Sequence, residues 1–370
     1  MFGTVLVVAC TLMQIYVLWR AASASLLAAP GRRAARRTFF GACAGLWAVL
    51  VLSRLVGHGG AGAFAAALDL AGMTWMAVLF LTSVALLAVD LATGFGLWLR
   101  RRAPLLRSCG LLAGGALAAV ALVQGLRPPV VRHHEVRLAG LPAELDGAVL
   151  VALSDTHLGS ILGERWLAAR VAQVRAERPD LVVLLGDVVE GHGESPDSLR
   201  RALAGLSAPL GAWAVPGNHE SHGGGDAGVR LLEAAGFRVL RNGWAEVRPG
   251  LVLAGLEDLT SARRRPDAGA DFVERALAGR PAGAAILLSH TPWQAEQAAA
   301  AGAGLMLSGH THGGQIWPFG WLVATRYPLL AGRYEVGGMP AIVCRGTGTW
   351  GPRMRLWRPG EILRVTLRAI

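Results

Sequence analysis

In Ala148-Val149-Leu150-Val151-Ala152-Leu153-Ser154-Asp155-Thr156-His157, six apolar residues run without a break into a serine, an aspartate and a histidine. A run this short, bounded and rich in Val and Leu reads as a strand buried on both faces. The spacing of Asp155 and His157 sends a carboxylate and an imidazole in the same direction from an extended strand end, where they can share one cation. The same pattern recurs outward from this point. Residues 181–185, 211–215, 251–255, 284–288 and 305–307 read as further buried strands. Residues 164–177, 196–206, 228–235, 271–278 and 294–301 read as helices. Such alternation argues an α/β fold with largely parallel strands. From Gln315 onward the helical period fades, and 341–344 and 362–367 look like additional strands.

The polar residues fall where these strands end. Gly186-Asp187 follows the second strand, and Gly217-Asn218-His219-Glu220 follows the third. Ser289-His290 follows residues 284–288, and Gly309-His310-Thr311-His312 follows 305–307. Ligands of open α/β sheets bind at the carboxyl ends of strands. Two Asp, one Asn and four His form a mixed nitrogen and oxygen donor set without thiolate, which suits Zn, Fe, Mn or Ni. Seven such side chains fit two ions better than one closed tetrahedral site, and Asp187, alone between clusters, is the natural bridge.

This series, with the long form Ser308-Gly309-His310-Thr311-His312-Gly313-Gly314-Gln315 and Ser289-His290-Thr291-Pro292, resembles the calcineurin-like metallophosphoesterase superfamily, in its YkuE/YaeI-like branch. The resemblance covers about residues 147–368. It implies an αββα two-sheet sandwich and a centre of two divalent metal ions. It assigns Asp155, His157 and His312 to one ion and Asn218, His290 and His310 to the other, with Asp187 bridging. It implies hydrolysis of a phosphodiester or pyrophosphate bond by a metal-activated hydroxide, with His219 helping the leaving oxygen. An imidazole is also the side chain whose proton is most available near neutral pH.

The N-terminal part has a different character. The whole chain of 370 residues is 53% hydrophobic and 16% charged, which excludes a disordered polypeptide. Apolar runs at 2–19, 39–53, 73–91 and 111–126 predict about four transmembrane helices. The formal charge of +11 is concentrated there: 13 arginines and three acids in residues 1–137 give +10. It therefore reads as membrane topology, and no nucleic-acid partner is expected. Arg20, Arg32, Arg33, Arg36 and Arg37 lie between the first two runs, and Arg100, Arg101, Arg102 and Arg107 between the last two. The positive-inside rule places those loops in the cytoplasm and the catalytic domain outside it, in a multi-pass protein of the cell membrane. The arginines follow the first run, the wrong order for a signal peptide. Asp90, inside the third run, reads as solvated or paired with arginine. The four cysteines show no paired spacing, so neither a disulfide framework nor a thiolate zinc site is expected.

The expected organisation is therefore a transmembrane region at 1–127, a linker at 128–146 and a phosphoesterase domain at 147–370. A tether of this kind favours membrane lipids or a phosphorylated envelope substrate as partner. Relatives acting on UDP-2,3-diacylglucosamine give an alternative on the cytoplasmic face. A non-catalytic membrane sensor or scaffold is a second alternative, opposed by the complete ligand set. Arg345, after the strand at 341–344, reads either as a phosphate contact or as a salt-bridged residue. Trp317, Pro318, Phe319, Trp321 and Leu322 read either as sheet cover or as a lipid-facing rim. His192, His222 and Arg263-Arg264-Arg265 read as loop residues. The sequence leaves the oligomeric state open.

Overall fold

The computed structural model describes residues 2–57, 62–190, 196–221, 226–262 and 271–370. His192, His222 and Arg263-Arg264-Arg265 lie outside the described residues. The chain divides into two compact units, one of Met1–Leu126 with Gly351–Leu356 and one of Arg127–Trp350 with Trp357–Ile370.

In the first unit, helices α1 (Phe2–Ala22), α3 (Arg33–Leu52), α4 (Ala63–Thr93) and α5 (Ala103–Leu126) are joined by short links, one of them the single turn α2 (Ser25–Ala28). All four long helices are long and apolar enough to cross a membrane. The two short apolar runs of the sequence gain their length from flanking residues, including the arginines at the start of α3. Asp90 is buried and paired. Arg20 Nε lies 2.7 Å from its carboxylate, the Tyr16 hydroxyl donates to it at 2.7 Å, and Arg107 Nε stands 3.9 Å away. One carboxylate thus ties α1, α4 and α5 together.

In the second unit, β1 (Val130–Leu138), β2 (Val149–Leu153), α6 (Glu164–Ala176), β3 (Leu181–Leu184), α7 (Pro196–Leu203), β4 (Ala212–Ala214), α8 (Asn218–Ser221), α9 (Ala227–Ala234) and β5 (Arg238–Val239) come first. Then follow β6 (Gly243–Arg248), β7 (Leu251–Gly255), α10 (Leu259–Ala262), α11 (Phe272–Leu277), β8 (Ala284–Leu288), α12 (Ala295–Ala300) and β9 (Leu305–Ser308). Last come α13 (Gly320–Arg326), β10 (Gly332–Val336), β11 (Met339–Val343) and β12 (Glu361–Ala369). The strands form two six-stranded sheets in the orders β1-β12-β2-β3-β4-β5 and β10-β11-β9-β8-β7-β6.

Strand periodicity makes this a sandwich. Leu150 and Ala152 of β2 face a central core shared with Leu253 of β7, Ile286 of β8 and Leu307 of β9. Val149, Val151 and Leu153 turn to the opposite face, under residues of α6, α7 and α9. Leu287 and Met306 likewise leave the central core for the layer under α11 and α12. Two sheets each covered by helices give the αββα architecture. Strands with both faces buried read as unbroken apolar runs, which is why the sequence exposes them.

Four strands departed from expectation. Residues 130–138, expected within a linker, form β1, paired in parallel with β12 along its length. Its exposed His133 and half-buried His134 belong to this edge strand. β5, β6 and β10 had no apolar run to announce them: β5 has two residues, and β6 and β10 alternate half-buried with exposed positions at sheet edges. Residues 320–326, where no helix was expected, form α13.

Candidate metal centre

The loops after β2, β3, β4, β8 and β9 bring the seven predicted ligands together. Asp155, His157 and His312 offer ligand atoms within 4.8 Å of one another, and so do Asp187, His290 and His310. Asn218 Oδ1 joins the second group, 3.2 Å from His290 Nε2. Asp187 Oδ2 lies between the groups, 3.1 Å from His290 Nε2 and 3.9 Å from His157 Nε2.

Local backbone chemistry aims these side chains. Asp155, His157, Asp187, His310 and His312 all adopt positive φ, a region that side chains other than those of Gly, Asn and Asp rarely occupy. Such strain persists only where the surroundings hold it, and it gathers at functional sites. Here the holding groups are identifiable. The Asp155 N–H donates to the Gly186 carbonyl and the His157 N–H to the Asp187 carbonyl, both at 3.0 Å. The His310 N–H donates to Asp155 Oδ2 at 3.0 Å, and the Ser154 hydroxyl donates to that same oxygen. Gly186 has no side chain because a Cβ there would lie 2.7 Å from Gly217 Cα and from His290 Nδ1.

The donor set fits cations. His157 Nε2 and His312 Nε2 face each other at 3.1 Å, and His310 Nδ1 faces His290 Nε2 at 3.0 Å. Imidazole nitrogens turned toward one another, beside carboxylates, call for a proton or a metal ion between them. The outer ring nitrogens are committed elsewhere: His290 Nδ1 donates to the Leu185 carbonyl at 2.8 Å, and His157 Nδ1 to Glu190 Oε1 at 2.6 Å. Hydrogen bonds of this kind fix the tautomer and leave the inner nitrogens as donors.

Electrostatics follow from that crowding. Burial opposes ionisation of Asp187, but His290, His219 and His157 outweigh it and hold the carboxyl well below its ordinary range. Burial likewise works against a charged His290, yet Asp187 and Asp155 carry it well above the usual imidazole value. His310 goes the other way: burial, reinforced by His290, pushes it down to about 4, so it is neutral. Burial would lower His219 too, but Asp187 and Glu190 carry it up to about 9.

Three site residues had no role in the sequence reading. Glu190 accepts from His157 Nδ1 and, at 2.9 Å, from His219 Nδ1, orienting both rings with one carboxylate. Its position three residues after Asp187 was the available signal. Glu220 is buried and accepts from the N–H groups of Asp187, Val188, Val189 and Gly217 at 2.7–3.1 Å, clasping two ligand loops. Tyr327, which no spacing marked, places its hydroxyl 2.7 Å from His310 Nε2. His219 itself stands at the mouth, with Nε2 3.9 Å from Asp187 Oδ2. The stem of Arg345 lies against Gly313, while its guanidinium pairs with Glu361 at 3.6 Å.

Residues 148–314 match the family profile of the calcineurin-like phosphoesterases. A metallophosphoesterase of Aquifex aeolicus is 34% identical over 240 residues, covering 64% of this chain and 91% of the relative. The chain belongs to the calcineurin-like phosphoesterase family. YkuE of Bacillus subtilis, also named a metallophosphoesterase, is 30% identical over 280 residues, covering 69% of this phosphoesterase and 94% of the relative. A Danio rerio protein named as a transmembrane protein with a metallophosphoesterase domain is 36% identical over 270 residues. That match covers 70% of the phosphoesterase and 62% of the Danio rerio protein. The family is one of metal-dependent phosphoric ester hydrolases, and among the described residues four helices are long and apolar enough to cross a membrane.

Proposed function

We infer that this phosphoesterase is held in the cell membrane by α1, α3, α4 and α5, and hydrolyses phosphodiester or pyrophosphate bonds of a lipid or cell-envelope substrate. The observation that carries this reading is the union, among the described residues, of a full set of oxygen and nitrogen ligands with four helices of spanning length. A tethered site works on what the bilayer concentrates beside it. The arginine distribution supports a catalytic unit outside the cytoplasm.

In this reading Asp155, His157 and His312 would hold one ion and Asn218, His290 and His310 the other, with Asp187 placed between the two groups. Two such ions, when bound, supply Lewis acidity and an activated water. The chain's own residues do the rest. Glu190 and the Leu185 carbonyl keep His157 and His290 in the tautomers that bind. Glu190 also presents the protonated Nε2 of His219 to the site mouth, where it donates to the leaving oxygen. Glu220 fixes the separation of the Asp187 and Asn218 loops.

The test uses the detergent-solubilised full chain stripped of metal. Hydrolysis of bis-p-nitrophenyl phosphate is measured with Mn, Zn, Fe, Co, Ni or Mg restored, beside an Asp187→Asn control. Metal-dependent turnover lost in the control supports the assignment, and a chain that binds no ion overturns it. A phosphodiester lipid in nanodiscs then tests the substrate class. Labelling of Thr325→Cys by a membrane-impermeant maleimide in intact cells tests sidedness, and labelling only after lysis overturns the outward placement.

A further inference from the structure

The helix α13 is fastened to the metal loop at both ends. Gly320, its first residue, packs on Gly314, two residues beyond His312, so closely that a Cβ on Gly314 would collide with the Gly320 backbone. Tyr327, the residue after its last, holds His310 through its hydroxyl. The outward side of this short helix therefore lies about one helix diameter, ~10–12 Å, from the ligand atoms.

That side is apolar. Trp321 is 70% exposed and Leu322 63%, with Phe319 and Trp357 also exposed. Trp317 stands edge-on to Trp321 at 5.5 Å and meets Trp357 at 5.1 Å, so two distant parts of the chain converge on one patch. The second part has a telling neighbour. Trp357 follows directly on Gly351–Leu356, the segment that belongs with the membrane helices, where the Arg355 N–H donates to the Ala121 carbonyl of α5 at 2.9 Å. Tryptophan is the side chain enriched where a bilayer meets water, since its ring is amphipathic and large. A contiguous exposed apolar patch marks a contact surface.

We propose that Trp317, Phe319, Trp321, Leu322 and Trp357 form a rim that lies in the bilayer interface and receives the acyl-chain end of a lipid whose phosphoester reaches the metal centre. This deepens the lipid-substrate reading and rests on it for the catalytic part. The rim makes no bond to the reacting phosphate. It sets which esters arrive and at what depth.

Two measurements on the full chain in nanodiscs separate the parts. In the first, nanodiscs contain phosphatidylcholine with brominated acyl chains, and the emission of the native chain is compared with that of Trp321→Phe/Trp357→Phe. The difference between the two is the emission of the rim, and it is expected to be quenched by bromine. Unquenched rim emission overturns the proposal and assigns the patch to a soluble partner. In the second, Trp321→Ser/Leu322→Gln is expected to lower kcat/KM on a phosphodiester lipid roughly tenfold, while hydrolysis of bis-p-nitrophenyl phosphate is unchanged. Equal loss on both substrates overturns the rim and leaves a structural role. Quenching without any lipid turnover keeps the rim as a membrane contact and refutes the lipid-substrate reading.

Discussion

Replacing Tyr327 with phenylalanine removes one oxygen and keeps the ring. That ring stacks on Trp293 at 5.1 Å and meets His310 edge-on at 4.9 Å, so packing survives the change. What is lost is the 2.7 Å hydrogen bond to His310 Nε2. Because His310 is neutral, one ring nitrogen carries the only proton. The Tyr327 oxygen keeps that proton on Nε2 and leaves Nδ1, which faces His290, free to bind. Without it the two tautomers compete. Loss of an outer partner of a metal-ligating histidine typically costs 10–100-fold in affinity, or roughly 1.4–2.7 kcal/mol. On the assignment proposed above, the effect falls on the ion that Asn218, His290 and His310 would hold, and not on the one that Asp155, His157 and His312 would hold. Competition titration against a chelating dye, on metal-stripped full-length protein, resolves the two steps. One step weakened within that range and one unchanged is the expected outcome. Two steps shifted equally, or neither, would refute the tautomer argument. Tyr334→Phe, whose hydroxyl accepts from the Leu330 and Ala331 N–H groups, serves as a control.

Further outcomes follow from other contacts. Glu220→Ala leaves four buried N–H groups without their acceptor, so the metal-free protein should lose at least about 3 kcal/mol; a thermal melt unchanged within about 2 °C would contradict this. Glu190→Gln cannot accept from both His157 and His219 as a carboxylate does, and kcat on bis-p-nitrophenyl phosphate should fall by roughly 10²-fold, whereas wild-type turnover would remove His219 from the reaction. Asp187 and Asp155 raise His290 well above the ordinary imidazole value in the metal-free protein, so its protonated form is favoured and an ion must compete with that proton. Affinity should therefore rise with pH through neutrality, and calorimetry in buffers of different ionisation enthalpy should show proton release; identical heats in all buffers would exclude it. In the unit of apolar helices, Asp90→Asn removes the carboxylate that faces Arg20 and Arg107 and should cost about 3–5 kcal/mol, read as a lowered melting temperature in detergent.

The strands that position the site were legible because burial on both faces writes a plain signal: 149–153, 181–184, 251–255, 284–288 and 305–308 are aliphatic nearly throughout. Six of the seven ligand candidates were legible because they follow closely on such a run, and Asn218 because it follows the shorter β4. β1 was not, since an edge strand in His133-His134-Glu135 carries half its residues in water and looks like a linker. Tyr327 was not, because its partnership with His310 depends on α13 folding back over the metal loop, and no local spacing encodes that path. Glu190 and Glu220 were visible as residues but not as roles: accepting two imidazoles, or four amides, is a property of assembled loops.

Strand β12 lies between β1 and β2, parallel to the first and antiparallel to the second. Its opening residue, Glu361, also accepts the Arg345 N–H, and the Thr347 N–H beside it donates to the Ser154 carbonyl, next to Asp155. During synthesis β2, β3, β4 and the whole second sheet emerge before β12 exists. Until the ribosome has passed residue 369, the nascent unit holds its ligand loops on a sheet with a bare inner edge. Completion of that sheet is thus a late event, coupled to the end of this segment's translation. A ribosome arrested after residue 350 should present a chain that trypsin cuts readily at Arg132 or Arg137, where pairing with the final strand later fixes the backbone in an extended form.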